Sequence, residues 1–143
     1  MEENSQTTEE IKLNFKESMY ATGRRKTSIA KIWLKKGTGK IFVNGKNFQD
    51  YFTSDTHKMQ ILRPFEIIDQ ATQYDVRCQV IGGGHTGQAG AMVHGISRAL
   101  VKFDENFKTT LRKEKLTTRD SRAVERKKPG RAKARKSYQF SKR

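Results

Sequence analysis

The sequence predicts an α+β fold: a two-layer α/β sandwich with helices over one face of a single sheet, plus an extended basic C-terminal arm. Three observations carry that reading. Strand-like alternation comes first along the chain, a later strand runs through a glycine cluster into an amphipathic helix, and beyond Leu116 large apolar residues almost vanish. The predicted division is a disordered acidic leader over residues 1–18, a globular body over residues 19–111 and the arm over residues 112–143. A body of about 90 residues can bury one modest core and little more.

Residues 1–18 are rich in Glu, Thr, Ser and Asn, too polar to pack. The body begins at Met19, Tyr20, Ala21 and Thr22. Over residues 28–35, Ala30, Ile32 and Leu34 share one face of a strand, with Lys31 and Lys35 on the other. Gly37, Thr38 and Gly39 form a turn, residues 40–43 return as a second strand, and the two read as a β-hairpin. Asn44-Gly45 punctuates next. Short helices are expected over residues 48–52 and 56–62, with Arg63-Pro64 breaking the second.

Tyr74, Val76, Cys78 and Val80 alternate with Asp75, Arg77 and Gln79, which is the pattern of a half-buried strand. Cys78 falls on its apolar face and reads as core, not as a reactive thiol. After Gly82, Gly83 and Gly84 comes a helix in which Ala89, Met92, Ile96, Leu100 and Phe103 recur at spacings of three and four. His94, Arg98 and Lys102 lie away from that stripe. Phe107 and Leu111 continue it in a further helical piece that leads into the arm.

Charge narrows the function classes. The formal net charge is +15, from 30 Lys and Arg against 15 Asp and Glu. Such an excess repels itself and needs a polyanion to offset it, so nucleic acid is the first expected partner and an anionic membrane the second. The charge is segregated, at −3 over residues 1–19, +7 over residues 20–111 and +11 over residues 112–143. From Arg126 onward there are 9 basic side chains and no acid. The arm therefore orders only where phosphates neutralise it, and it has no apolar helical face for a membrane. One cysteine excludes an internal disulfide and suits a reducing compartment. No stretch approaches the roughly 20 apolar residues of a membrane span, and the acidic N-terminus lacks the regions of a signal peptide. A cytoplasmic or organellar-matrix protein is expected.

Three segments are candidates for binding. Arg24, Arg25 and Lys26 follow Gly23 just before a strand, where arginine forks can hold a phosphate by two parallel bonds; a solvated basic turn is the plainer reading. Gly82, Gly83 and Gly84, with Gly87, precede a helix and allow close backbone approach to an anion. That anion is an RNA phosphate or the phosphates of a nucleotide, and the alternative is a tight strand-to-helix turn. The loop does not follow the Walker spacing, and Ile41 after Gly39-Lys40 supplies no hydroxyl for magnesium. The third segment is the arm, where Arg126, Lys127, Lys128, Arg131, Lys133, Arg135 and Lys136 alternate with Pro129, Gly130 and alanines. Tyr138 and Phe140 then offer rings that stack on bases or pack on neighbours. His57, His85, His94 and Cys78 lack the close spacing of a zinc motif. No paired carboxylates can be placed, so nothing argues for catalysis, a cofactor or a metal.

These residues resemble the small-subunit ribosomal protein nine family (universal S-nine), bacterial type. The resemblance covers residues 20–143 and rests on several motifs in order: Tyr20-Ala21-Thr22-Gly23-Arg24-Arg25-Lys26, Gly82-Gly83-Gly84 and Gly87-Gln88-Ala89-Gly90-Ala91. It continues through His94-Gly95-Ile96-Ser97-Arg98-Ala99-Leu100, Thr118-Arg119-Asp120-Ser121-Arg122 and Val124-Glu125-Arg126-Lys127-Lys128, and ends on Gln139-Phe140-Ser141-Lys142-Arg143. The resemblance implies the ribosomal S-five second-domain superfold with a left-handed crossover. It implies a place in the head of the small subunit, bound to the 3′ major domain of its rRNA, beside neighbouring head proteins. His94, Arg98, Arg119 and Arg122 then join the basic segments as expected rRNA contacts. Ser141, Lys142 and Arg143 are expected at the anticodon stem-loop of P-site tRNA.

The reading is thus a structural RNA binder without cofactor, small-molecule substrate or membrane. Small-molecule kinases of the same superfold, which bind phosphates at a glycine-rich helix start, are the rival class. A free nucleic-acid compaction protein is the third. Co-sedimentation with small subunits and polysomes separates them.

Overall fold

The computed structural model describes residues 15–70 and 72–142. The expected leader falls almost wholly outside them, as does Arg143. Five strands, β1 (Met19–Arg25), β2 (Ser28–Lys36), β3 (Ile41–Val43), β4 (Lys46–Asn47) and β5 (Tyr74–Ile81), form one open sheet in the order β1-β2-β5-β3-β4. Among the described residues four helices accompany it: α1 (Phe48–Tyr51), α2 (Asp55–Ile67), α3 (His85–Phe103) and α4 (Phe107–Lys113). Helix α3 lies across β1 and β2, and α2 and α4 pack on α3. The fold is mixed α+β, as expected.

The core lies between α3 and the sheet. Ala30, Ile32 and Leu34 from β2 and Val76, Cys78 and Val80 from β5 meet Ala89, Met92, Ile96 and Leu100 from α3, all buried. Each large side chain so removed from water contributes roughly 1.5 to 3 kcal/mol. Leu111 of α4 is also buried and Phe107 packs against the same cluster, so the stripe does continue across the break at Asp104. Burial pushes the Cys78 thiol well above its usual range, as befits a core residue.

Three expectations need correction. The strand over residues 28–35 does not form a hairpin with residues 40–43. Its hairpin partner is β1, in register Tyr20 to Trp33 and Arg25 to Ser28. Strand β5 lies between β2 and β3, antiparallel to the first and parallel to the second. The physical reason is Asp75, which the alternation had placed on the polar face but which is 3 % exposed. Its Oδ1 accepts from the backbone N–H groups of Thr38 at 2.8 Å and Lys40 at 3.0 Å. Lys40 O then accepts from Val76 N–H at 2.8 Å, which starts the parallel ladder. The glycine turn thus wraps the end of β5 and does not fold β3 back on β2.

The helix over residues 56–62 is also longer than expected, because Pro64 lies inside α2. The ring forfeits one N–H bond to Gln60, whose side chain is exposed, so water can satisfy the carbonyl. Its ring is buried beside Ile61 and Phe65, and that burial offsets the loss. Strand β1 had not been expected as a strand. Helix α4 runs to Lys113, into the arm as expected, and Leu116 still packs on the core. From residue 117 to 142 no helix or strand forms.

Candidate nucleic-acid interface

The β1–β2 turn and the glycine loop, 54 residues apart in sequence, meet at one end of the sheet. Ser28 Oγ donates to Gly82 O at 3.0 Å, and Gln88 Nε2 donates to the same oxygen at 3.1 Å. Gly82 and Gly83 hold φ of 75° and 64°, a region L-residues seldom adopt, and a side chain on Gly83 would strike Ser28 Oγ. Gly84 then caps α3 with its backbone alone, with no side-chain cap bond. The first turn of α3 carries exposed His85 and Thr86, whereas Gly87 is buried beneath Ser28 and Arg25. Gly87 therefore contributes closeness of packing, and the exposed backbone of residues 82–84 is what an anion can reach.

Three cations accompany this loop. Arg24 and Lys26 are exposed and Arg25 half-buried, with Lys26 at φ 54° at the tip of the turn. The Arg25 side chain runs over Gly90 of α3, where a Cβ would collide with it. Its Nε stands 3.6 Å from Asp120 of the arm, and Arg122 binds the same carboxylate by two bonds, at 3.1 and 2.8 Å. Those Arg122 bonds, with the Arg25 charge behind them, hold the Asp120 carboxyl well below the usual range. A cleft lined by Arg24, Arg25, Arg63, His94 and Lys115 opens beside this root of the arm. Asp120 ties the arm to the body here, as Glu114 does through Arg63 at 2.9 Å.

The polar side of α3, though exposed at Arg98 and Lys102, is bonded to β1. Arg24 N–H donates to His94 Nδ1 at 3.2 Å, Arg98 donates to Thr22 O at 2.7 Å, and Lys102 donates to Tyr20 O at 2.9 Å. Four helical residues rise about 6 Å and two strand residues about 6.8 Å, so a spacing of four on α3 matches alternate residues of an antiparallel neighbour. The three side chains cover the free edge of β1, which would otherwise invite another strand. Burial, with the Arg98 guanidinium nearby, lowers the His94 pKa, and a neutral ring is what accepting from Arg24 requires.

Further along, the arm is exposed and internally paired. Glu125 accepts from Lys128 at 2.7 Å and from Arg135 at 2.9 Å. Arg126, Lys127, Arg131, Lys133 and Lys136 stand exposed beside them, as do Tyr138 and Phe140. The structure therefore brings Arg24, Arg25, Lys26, the 82–84 loop, His94 and Arg122 to one end. Lys115 and Arg119 stand beside them, and the arm cations from Arg126 onward are spread along the chain, away from that cluster. Sequence reasoning missed Ser28, Asp120 and Glu125, whose only signal was being polar residues among cations. No helix among the described residues is long and apolar enough to cross a membrane.

A small α+β body with a cationic end and a cationic extension fits one class, that of nucleic-acid-binding proteins. The comparisons give the family. Residues 23–143 match the family described as ribosomal protein S9/S16. The small ribosomal subunit protein uS9 of Rickettsia canadensis (strain McKiel) is 54% identical over 132 residues, 92% of this chain and 82% of that one. Its counterpart in Rickettsia rickettsii (strain Sheila Smith) is 56% identical over 124 residues, 87% and 78% of the two chains. That of Rickettsia felis is 54% identical over 136 residues, 95% of this chain and 84% of that one. The chain belongs to the S9 family of small-subunit ribosomal proteins, bacterial type. Membership makes it a structural, RNA-binding component of the translation apparatus, at work in the cytoplasm among ribosomal RNA and ribosomal proteins, and not an enzyme.

Proposed function

We propose that the chain is a structural component of the small-subunit head, that its cationic end grips the 3′ major domain of the rRNA, and that its C-terminal tip touches P-site tRNA. One observation supports this above the others: the Arg24, Arg25 and Lys26 turn, the 82–84 glycine loop and the root of the arm at Asp120 and Arg122 converge on a single end of the sheet. Arginine forks and backbone N–H groups there fix a register on phosphates. Arg119, Arg122, Arg126, Lys127, Lys128, Arg131, Lys133, Arg135 and Lys136 replace counterions along the RNA beyond it. His94 and Arg98 act by shaping the β1 edge from which Arg24 projects, and Gly87 acts by admitting Ser28. On this reading the body spans residues 19–111 and the arm residues 112–143, behind a leader over residues 1–18. The body has the S-five second-domain architecture with its left-handed crossover.

The tip is the part with a separable role. Ser141, Lys142 and Arg143 hold two of the 30 basic side chains, so their share of rRNA affinity is small. Three extended residues nonetheless span about 10 Å, enough to reach a ligand beside the RNA that the arm follows. Two charge-assisted phosphate contacts contribute roughly 1.5 to 3 kcal/mol each at most, and less after screening. Deleting residues 141–143 should leave subunits assembled and weaken P-site tRNA by about tenfold. The measurement is the tRNA dissociation rate beside the sedimentation profile. Unchanged dissociation from normal subunits refutes the tip's role, and failed head assembly refutes the placement of its contacts.

A further inference from the structure

We infer that the open face of the sheet is a second RNA site, a platform on which unpaired nucleotides stack. The inference rests on the rRNA-binding role proposed above. Helix α3 covers one face of β1, β2 and β5, and the opposite face carries three transverse rows of side chains. Pairing aligns Tyr20, Trp33 and Arg77 in the first row, Thr22, Lys31 and Gln79 in the second, and Arg24, Ile29 and Ile81 in the third. In the first row the Tyr20 and Trp33 rings lie 5.3 Å apart, and the Arg77 guanidinium stands 5.8 Å from the Trp33 ring.

Such a row is what a base meets well: aromatic faces, with a planar cation extending the stack. Tyr20 is 40% and Ile81 54% exposed, so both stand open to solvent on this face. A groove of about 440 Å³ runs from Trp33 past Arg77 and Gln79 to Asn44 and Gly45, and gives room for a nucleobase. Charge decides the class of occupant. Asp75 is the one acid in the five strands, and it is buried under the 37–40 turn with its carboxylate engaged by Thr38 and Lys40. The charge on this face is therefore all positive, from exposed Arg24 and Arg77 and half-buried Lys31 and Lys35, the last lying over the Phe15 ring, and a positive face fits phosphates. The third row contains Arg24, so the platform is continuous with the cationic end. Bases lie on Trp33 and Tyr20 while Lys31 meets the phosphate between them.

Trp33 is the sole tryptophan of the chain, so its emission reports this face. The full-length protein is titrated with a single-stranded octamer of uridylate and, separately, with an abasic octamer of equal charge. Stacking requires that the uridylate octamer quench Trp33 emission and the abasic one leave it unchanged. Tyr20→Leu and Lys31→Gln should each weaken the uridylate octamer about fivefold to tenfold, while the abasic octamer responds only to Lys31→Gln. Should Tyr20→Leu fail to fold, Lys31→Gln with the emission comparison decides alone. Equal quenching by both octamers overturns the platform. Tight octamer binding with constant emission overturns it too but leaves the rRNA-binding role standing, whereas loss of all RNA binding sinks both. Emission that shifts only when the protein joins small subunits, and never with the octamer, assigns the face to a neighbouring protein and also overturns it.

Discussion

Gly23 and Gly84 show how differently two glycines of one interface are constrained. A Cβ on Gly23 would run into the carbonyl of Ala91 and the amide of Gly95, both backbone atoms of α3 that cannot move aside. A Cβ on Gly84 meets nothing within 4 Å, and its φ of −109° suits any residue. Gly23→Ala should therefore cost about 2 to 3 kcal/mol, in the upper range of overpacking. Gly84→Ser should be neutral or slightly stabilising, because serine adds a helix cap. Urea denaturation of the two variants is the check, and equal midpoints would show that α3 can retreat from β1. The sequence marks both positions as glycine beside a strand end, and only the packing distinguishes a required close approach from an optional turn. Asp75 carries the same lesson. Alternation assigned it correctly to the face opposite Val76, yet residues 37–40 fold over that face and bury it.

Between elements, the seam of α3 and β1 joins stability to pH. His94 accepts from Arg24 N–H while Arg98 and Arg119 stand as neighbouring cations, so protonation both removes the acceptor and adds repulsion. Its folded pKa lies below the ordinary 6.5, with burial the main cause. The fold therefore binds fewer protons than the unfolded chain, and stability rises with pH across the interval between the two values. The His94 contribution is fully present above about pH 6.5 and is lost as pH falls through the lower, folded value. Thermal melts at pH 7.5 and 5.5 should show a larger drop for the natural chain than for His94→Gln. An equal drop in both would place the linkage elsewhere. Elements with a clear period were legible in the sequence, as α3 and β5 show. Strand β1 was not, because Gly23 interrupts its alternation and its outer edge is satisfied by α3 side chains rather than by a further strand.

Across the whole molecule, charge is divided between a body with buried apolar layers and an arm in which Val124, Tyr138 and Phe140 are exposed. An arm of that kind contributes to affinity through released counterions, and this has a direct signature. If about six of the 9 cations from Arg126 onward meet phosphates, deleting residues 126–143 makes the log–log salt dependence of RNA binding shallower by roughly 4 to 5. Filter binding across a salt series measures it. An unchanged slope would leave the body as the sole RNA-binding part. The ion pairs of Glu125 with Lys128 and Arg135 compete with phosphate for those cations, so Glu125→Gln should steepen the slope rather than flatten it.

The sequence by itself determined the class, the partner chemistry and the principal helix, because net charge, apolar period and motif order are properties of the chain read locally. It also located Cys78 in the core and the arm outside it. Tertiary structure alone decided which strands are neighbours, since pairing β3 with β5 depends on one carboxylate reaching two amides across 35 and 37 residues of chain. It alone placed the glycine loop against Ser28 and turned the polar side of α3 into the cover of a sheet edge. Contacts of that kind depend on geometry in three dimensions, and no local pattern of residues encodes them.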